Sequence, residues 1–179
     1  MLQLQQLLVN LRAGMNRNPG GRSRWPLVRC SYQVARSSIP EYSLEGVVLA
    51  TIQVNTPDRS AMVDVTDAIA RKVQESGICS GLCVVCVSHT TAGITINEGA
   101  DPSVAEDILR ILNQMVPFKG PYRHGEGNSP AHIKASLIGS SVSVMIENSR
   151  LILGRWQSLF FCEFDGPRTR KVFIKIISH

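Results

Sequence analysis

Apolar and polar positions alternate regularly only beyond about residue 45, and their period changes several times from there on. Residues 45–55 (EGVVLATIQVN) are β-branched and aliphatic and are closed by Thr56-Pro57, which predicts a strand. Val65, Ile69 and Val73 then fall four apart, with Asp64 as a candidate N-cap, Asp67 beside the helix dipole and Gly77 placed as the stop. Residues 81–88 form a continuous apolar run of buried-strand length, and residues 94–96 a short β-type segment. Asp101-Pro102 predicts a second helix, with Val104, Ile108, Ile111, Leu112 and Met115 along one face as far as Pro117. Residues 118–129 (FKGPYRHGEGNS) carry three glycines and a proline among charges, so no regular element is expected there. Ser129-Pro130 opens a short helix to about residue 137, with His132 in its first turn. Strand patterns follow over 141–147, 151–153, 159–165 and 172–177, separated by the turn signals Asn148-Ser149 and Asp165-Gly166-Pro167. Helices interleaved with strands, then strands in series, predict an α+β class: one compact domain, a mainly antiparallel sheet and two main helices.

Charge changes this picture only at the N-terminus. Residues 1–40 contain six arginines and no acidic residue, whereas the remaining chain has 13 basic against 14 acidic residues. The pI of 9.2 therefore belongs to the tail, and the near-neutral body argues against nucleic acid as a partner. No apolar run approaches the ~20 residues of a membrane span. An Arg-bearing, acid-free tail fits either a disordered extension or an organelle transit peptide, so the domain is assigned to residues 41–179. Five cysteines in no scaffold spacing fit a reducing, cytoplasmic setting. Cys83 and Cys86 form a CxxC inside a predicted strand, where they point to opposite faces, so a core role is expected rather than zinc or redox chemistry.

The chemistry-bearing residues lie where elements end. His89 closes the buried strand in SHTTAGITINEGADPS, followed by Thr90, Thr91, Asn97, Glu98 and Asp101; His124, with Glu126 and Asn128, lies in the glycine-rich segment, and His132 in SPAHIKAS beside Lys134. Three neutral imidazoles can hold a divalent metal with a position left open for water or substrate, while carboxylates orient the rings or act as acid–base groups. The alternative is that each histidine only satisfies its own loop. Strand parity in LFFCEFD places Leu159, Phe161, Glu163 and Asp165 on one face, which requires the two acids to be exposed or paired, with a histidine, with Arg168 or with another subunit. Trp156 and Gln157 are candidate pocket walls. No Walker-type loop, GxGxxG or GxSxG is present.

HTTAGITINEGADP, YRHGEGNSPAHIKASLIGSS and LGRWQSLFFCEFDGPR together resemble the YjbQ-like family of secondary thiamine-phosphate synthases, over about residues 44–177. The resemblance implies a compact α+β domain, a homotrimer, and a metal pocket with His89, His124 and His132 as ligands to Zn or a similar divalent ion. It implies that Glu98, Asp101, Glu126, Asn128, Gln157, Glu163 and Arg168 form the polar lining; the four acids, Glu98, Asp101, Glu126 and Glu163, are expected to be catalytic, and Thr90, Thr91, Asn97, Lys134 and Trp156 are added as substrate contacts. The implied activity joins hydroxymethylpyrimidine diphosphate to thiazole phosphate with loss of pyrophosphate, and Mg2+ can accompany the diphosphate. A metal-dependent hydrolase of a small anionic substrate and a non-enzymatic trimeric metal- or anion-binding protein are the alternatives. Arg155, where the family more often carries a small residue, departs from the pattern.

Overall fold

The computed structural model describes residues 43–44 and 46–179. The tail reading and Cys30 lie outside them. In chain order the elements are β1 (Ser43–Leu44), β2 (Val47–Asn55), β3 (Ala61–Asp64), α1 (Thr66–Glu75), β4 (Ser80–Val87), β5 (Ala92–Glu98), α2 (Pro102–Met115), α3 (Ser129–Ile138), β6 (Ser141–Glu147), β7 (Arg150–Leu151), β8 (Gln157–Glu163) and β9 (Thr169–Ser178). The α+β class holds.

Two sheets form, one of six strands in the order β1-β2-β9-β4-β6-β7 and one of three in the order β3-β8-β5, with every pairing antiparallel. Alternation explains how they stack. On β9 the inward set is Val172, Ile174 and Ile176, all fully buried, and β4 and β6 contribute Cys83, Val85, Val144 and Ile146. These meet Ile94, Leu159 and Phe161 of the smaller sheet, with Ile69 and Val73 of α1 in the same cluster. The smaller sheet is buried on its other face as well: Phe160, Cys162 and Phe164 pack on Ala131 and Ala135 of α3 and on Leu109 and Leu112 of α2. The layers are therefore large sheet, main core, small sheet and two helices.

Local signals act as expected at several points. Asp101 caps α2, its carboxylate accepting from the Ser103 N–H, and the Ser103 hydroxyl, followed by that N–H, holds its pKa below the usual range. Asn148 and Ser149, with φ of 52° and 56°, make a two-residue turn between the paired Glu147 and Arg150, the mirror-image geometry that matches strand twist.

One strand is new and three expectations are corrected. β3 is not visible in the pattern, because four residues after a Pro-containing loop give no period; pairing with β8 creates it. Asp64 is not the cap of α1, since Val65 holds that position, although the Asp64 carboxylate accepts from Thr66 N–H at 2.8 Å. The apolar face of α2 is only partly buried: Leu112 packs on the small sheet, but Ile111 is 42% and Met115 66% exposed. The physical reason is space, because α3 packs on β5 and β8 and leaves α2 the β3 side of a sheet only three strands wide. Finally, Cys83 is in the core, where burial pushes its thiol up to about 11, but Cys86 is on the opposite, exposed face. That outer face of the large sheet, with Leu82 at 38% and Met145 at 64%, is uncovered by any described residue.

Candidate functional site

β4 ends at Val87, which is paired with Val172 of β9. The Val87 N–H bonds Ser140 O, the last rung in the register of the β4–β6 ladder, and the chain turns out through Ser88 to His89. His89 is half-buried, and its Nε2 accepts from the backbone N–H of Lys171 at 3.4 Å. Burial is the main cause holding its pKa below the usual value, with the Arg170 charge acting in the same direction. His89 and Thr90 form one wall of a cleft of about 590 Å3, and His132, Ser136, Gly139 and Ser140 form the other. No carboxylate lines it among the described residues.

Beneath the cleft lies an ion pair. Glu163 is fully buried and Arg170 is 7% exposed; Arg170 Nε and Nη2 donate to the two carboxylate oxygens at 2.6 and 2.7 Å. Nη2 also donates to Thr91 Oγ1 at 3.0 Å. Burial alone would raise the Glu163 carboxyl, but Arg170 and the amides of Asp165 and Phe164 hold it below the usual range. The network links β8 and β9 to the loop carrying His89. Glu163 thus has a partner, and it is none of those expected: Arg168 instead pairs with Asp165 at 2.7 Å. Arg170 was missed by sequence reading. The signal was present, since Arg170 shares the inward parity of Val172, Ile174 and Ile176, opposite in charge to an inward Glu163 one turn upstream.

The glycine-rich segment is pinned to the same place. Asn128 Nδ2 donates to Asp165 Oδ2 at 3.3 Å, while its buried Oδ1 has no partner. His124 and His132 meet edge to face with ring centroids 5.3 Å apart, and Glu126 lies 3.8 Å from His124 Nε2. His89, Thr90, Thr91, His124, Glu126, Asn128, His132, Glu163 and Arg168 therefore belong to one end of the molecule.

The other expected residues do not. Glu98 pairs with Gln157 six residues along β5 from the Ala92–Glu163 pair, about 20 Å away at ~3.3 Å per residue. At that far end Asn97 accepts from the Glu98 N–H, Asp101 caps its helix, Gln157 accepts from the Gly154 N–H, and Trp156 is 55% exposed under the Arg155 guanidinium. Lys134 points from α3 away from the cleft: fully buried, it donates to Asn113 Oδ1 and lies 4.0 Å from the Phe118 ring centroid. Burial, then the charge of Arg59, lowers its pKa.

A three-histidine metal centre needs three donors around one point. Among the described residues no group of three or more His, Cys, Asp or Glu side chains has that arrangement. Among the described residues of one chain, therefore, His89, His124 and His132 are not gathered as a ligand set.

The sequence model of the family described as UPF0047 protein YjbQ-like matches residues 50–179. This chain belongs to the YjbQ family. UPF0047 protein YugU of Bacillus subtilis is 50% identical over 131 residues, covering 73% of this chain and 99% of YugU, and a UPF0047 protein of Methanocaldococcus jannaschii is 48% identical, over 73% and 94%. Among solved structures, a YjbQ/UPF0047 family protein of Clostridium acetobutylicum superposes with a TM-score of 0.70 at 53% identity, over 72% of this chain and 99% of that one. A Sulfolobus solfataricus protein titled as YbjQ-like and of unknown function gives 0.71 at 32% identity, over 74% and 98%. The fold is thus that of the YjbQ family, and these names carry no reaction.

Proposed function

We propose that this YjbQ protein binds a small phosphorylated molecule in the His89–His132 cleft and acts on it as an enzyme. The observation that supports this reading is the lining: two imidazoles and three hydroxyl-bearing residues without one carboxylate, which suits an oxyanion and not a cation. The specific reaction proposed is the thiamine-phosphate synthase transfer that the family resemblance implies. In it, hydrogen-bond donors in the cleft would take up negative charge developing on the departing pyrophosphate. Mg2+ carried on the diphosphate is compatible, because it needs few protein donors and keeps substrate oxygens and waters.

Titration with pyrophosphate, followed by calorimetry, tests the site. His132→Ala is expected to weaken binding about tenfold, the loss of one charge-assisted hydrogen bond. Unchanged affinity would remove His132 from the site. Supplying hydroxymethylpyrimidine diphosphate and thiazole phosphate then tests the reaction: thiamine phosphate is expected, release of phosphate alone would mark a hydrolase, and binding without turnover would mark a non-enzymatic binder.

We also propose a homotrimer. Ile177, Leu82 and Met145 sit in one cross-strand row on the outer face of the large sheet, beside Ile152, around a hollow of about 600 Å3 whose rim carries Ser80, Glu147, Ser178 and His179. An exposed apolar face of this kind is a contact surface. Light scattering is expected to return three times the chain mass of 19.6 kDa, and a monomer at micromolar concentration would remove the proposal.

A further inference from the structure

We infer that His89 is a hydrogen-bond donor to a bound oxyanion through Nδ1, and not a metal ligand. The β4–β9 ladder ends at the Val87–Val172 pair. One residue before Val172 on β9, the Lys171 N–H no longer has a β4 carbonyl to meet, and His89 Nε2 accepts from it at 3.4 Å. The imidazole takes the place of the missing ladder acceptor. A ring nitrogen accepts only through its lone pair, so Nε2 carries no proton. In the neutral ring the proton is then on Nδ1, which is the nitrogen left for a ligand in the cleft.

Ligation of a metal uses an unprotonated ring nitrogen, with the other nitrogen donating to a carboxylate or carbonyl. His89 has the reverse arrangement: its free lone pair is taken by a backbone donor and its other nitrogen bears hydrogen. Binding a metal would require a change of tautomer or loss of the Lys171 bond. The residue before Lys171, Arg170, ties this end of β9 to Glu163 of β8 and to Thr91 of the His89 loop. An acceptor-rich ligand, phosphate or a similar oxyanion, matches the Nδ1–H together with Thr90 and Ser140 in a lining without carboxylates. The ligand class rests on the anion reading of the cleft. The tautomer does not.

The test is long-range 1H–15N NMR of the full chain with 15N-labelled histidine at pH 8, repeated with inorganic phosphate and then with Co2+ as a paramagnetic probe. The Nδ1–H tautomer is expected for His89, with a His89 shift on adding phosphate and no broadening of its signal by one equivalent of Co2+. In His89→Ala the phosphate affinity is expected to fall about tenfold, while Co2+ affinity changes less than about twofold. An Nε2–H tautomer, or His89 broadened by Co2+ as strongly as a ligand, overturns the inference. The Nδ1–H tautomer with no histidine responding to phosphate refutes the donor role and the proposed anion cleft together. Phosphate shifts at His132 with none at His89 refute the donor role and leave the cleft. The tautomer and shift measurements use wild-type protein, so the result stands if the alanine variant does not fold.

Discussion

Replacing Arg170 with methionine is expected to lower the free energy of unfolding by about 3–5 kcal/mol at pH 7, because removing one member of a buried pair leaves the other charge without compensation. Glu163 is fully buried, and its carboxylate would keep only the amides of Phe164 and Asp165 and the long Thr56 hydroxyl contact at 3.4 Å. The pH dependence gives the mechanism a second readout. In the native protein the folded Glu163 pKa lies below its unfolded value, so the pair's stabilisation is present above the ordinary carboxyl pKa of about 4.3 and is lost as pH falls through the folded value. In Arg170→Met, burial dominates and the folded pKa rises, so protonation now favours the fold. The gap between wild type and variant should therefore narrow towards pH 4. Urea unfolding at the two pH values measures it, and a gap that stays constant would show that the loss is packing alone. A Glu163→Leu/Arg170→Met double variant should recover at least about half of the loss, since apolar replacement of both partners is often close to neutral.

Replacing Gly93 with alanine is expected to cost about 3 kcal/mol, the upper part of the usual overpacking range, and to disturb the cleft at the same time. A Cβ at this position in β5 would lie 2.6 Å from the Gly139 carbonyl oxygen and 2.9 Å from Ile138 Cγ2. The side chain can rotate, but the carbonyl cannot withdraw cheaply: the neighbouring Ile94 N–H bonds it at 3.0 Å. Relief would come by lifting the end of α3 from the sheet, and Gly139 and Ser140 are part of the cleft wall facing His89. Thermal unfolding and pyrophosphate titration of the same variant should show both losses. Wild-type affinity in a destabilised Gly93→Ala would mean that the strain is taken up elsewhere.

These two residues differ in how visible they are beforehand. Gly93 stands in a polar threonine–glycine segment that reads as loop chemistry, whereas its glycine is required by a carbonyl more than forty residues downstream. Arg170 could be flagged from parity on β9, but only the passage of the chain from the small sheet at β8 to the large sheet at β9 shows that its partner is Glu163.

The amino-acid sequence by itself determined what local physics controls. Periods of two and of about 3.6, one continuous apolar run and the helix-start signals Asp101-Pro102 and Ser129-Pro130 together located seven of the strands and all three helices, and Asn148-Ser149 set a hairpin. Three linked motifs were enough to identify the family, because each combines turn residues and chemistry at fixed separations. Only the tertiary structure decided what depends on long-range pairing: that β3 exists, that Glu163 pairs with Arg170, and that Lys134 faces Asn113 rather than the cleft. It also divided the expected site, because a strand separates residues that are close in sequence by its own length. Glu98, Asp101 and Gln157 lie at one end of the β5–β8 pair and the histidines at the other, a separation that no spacing rule along the chain can express.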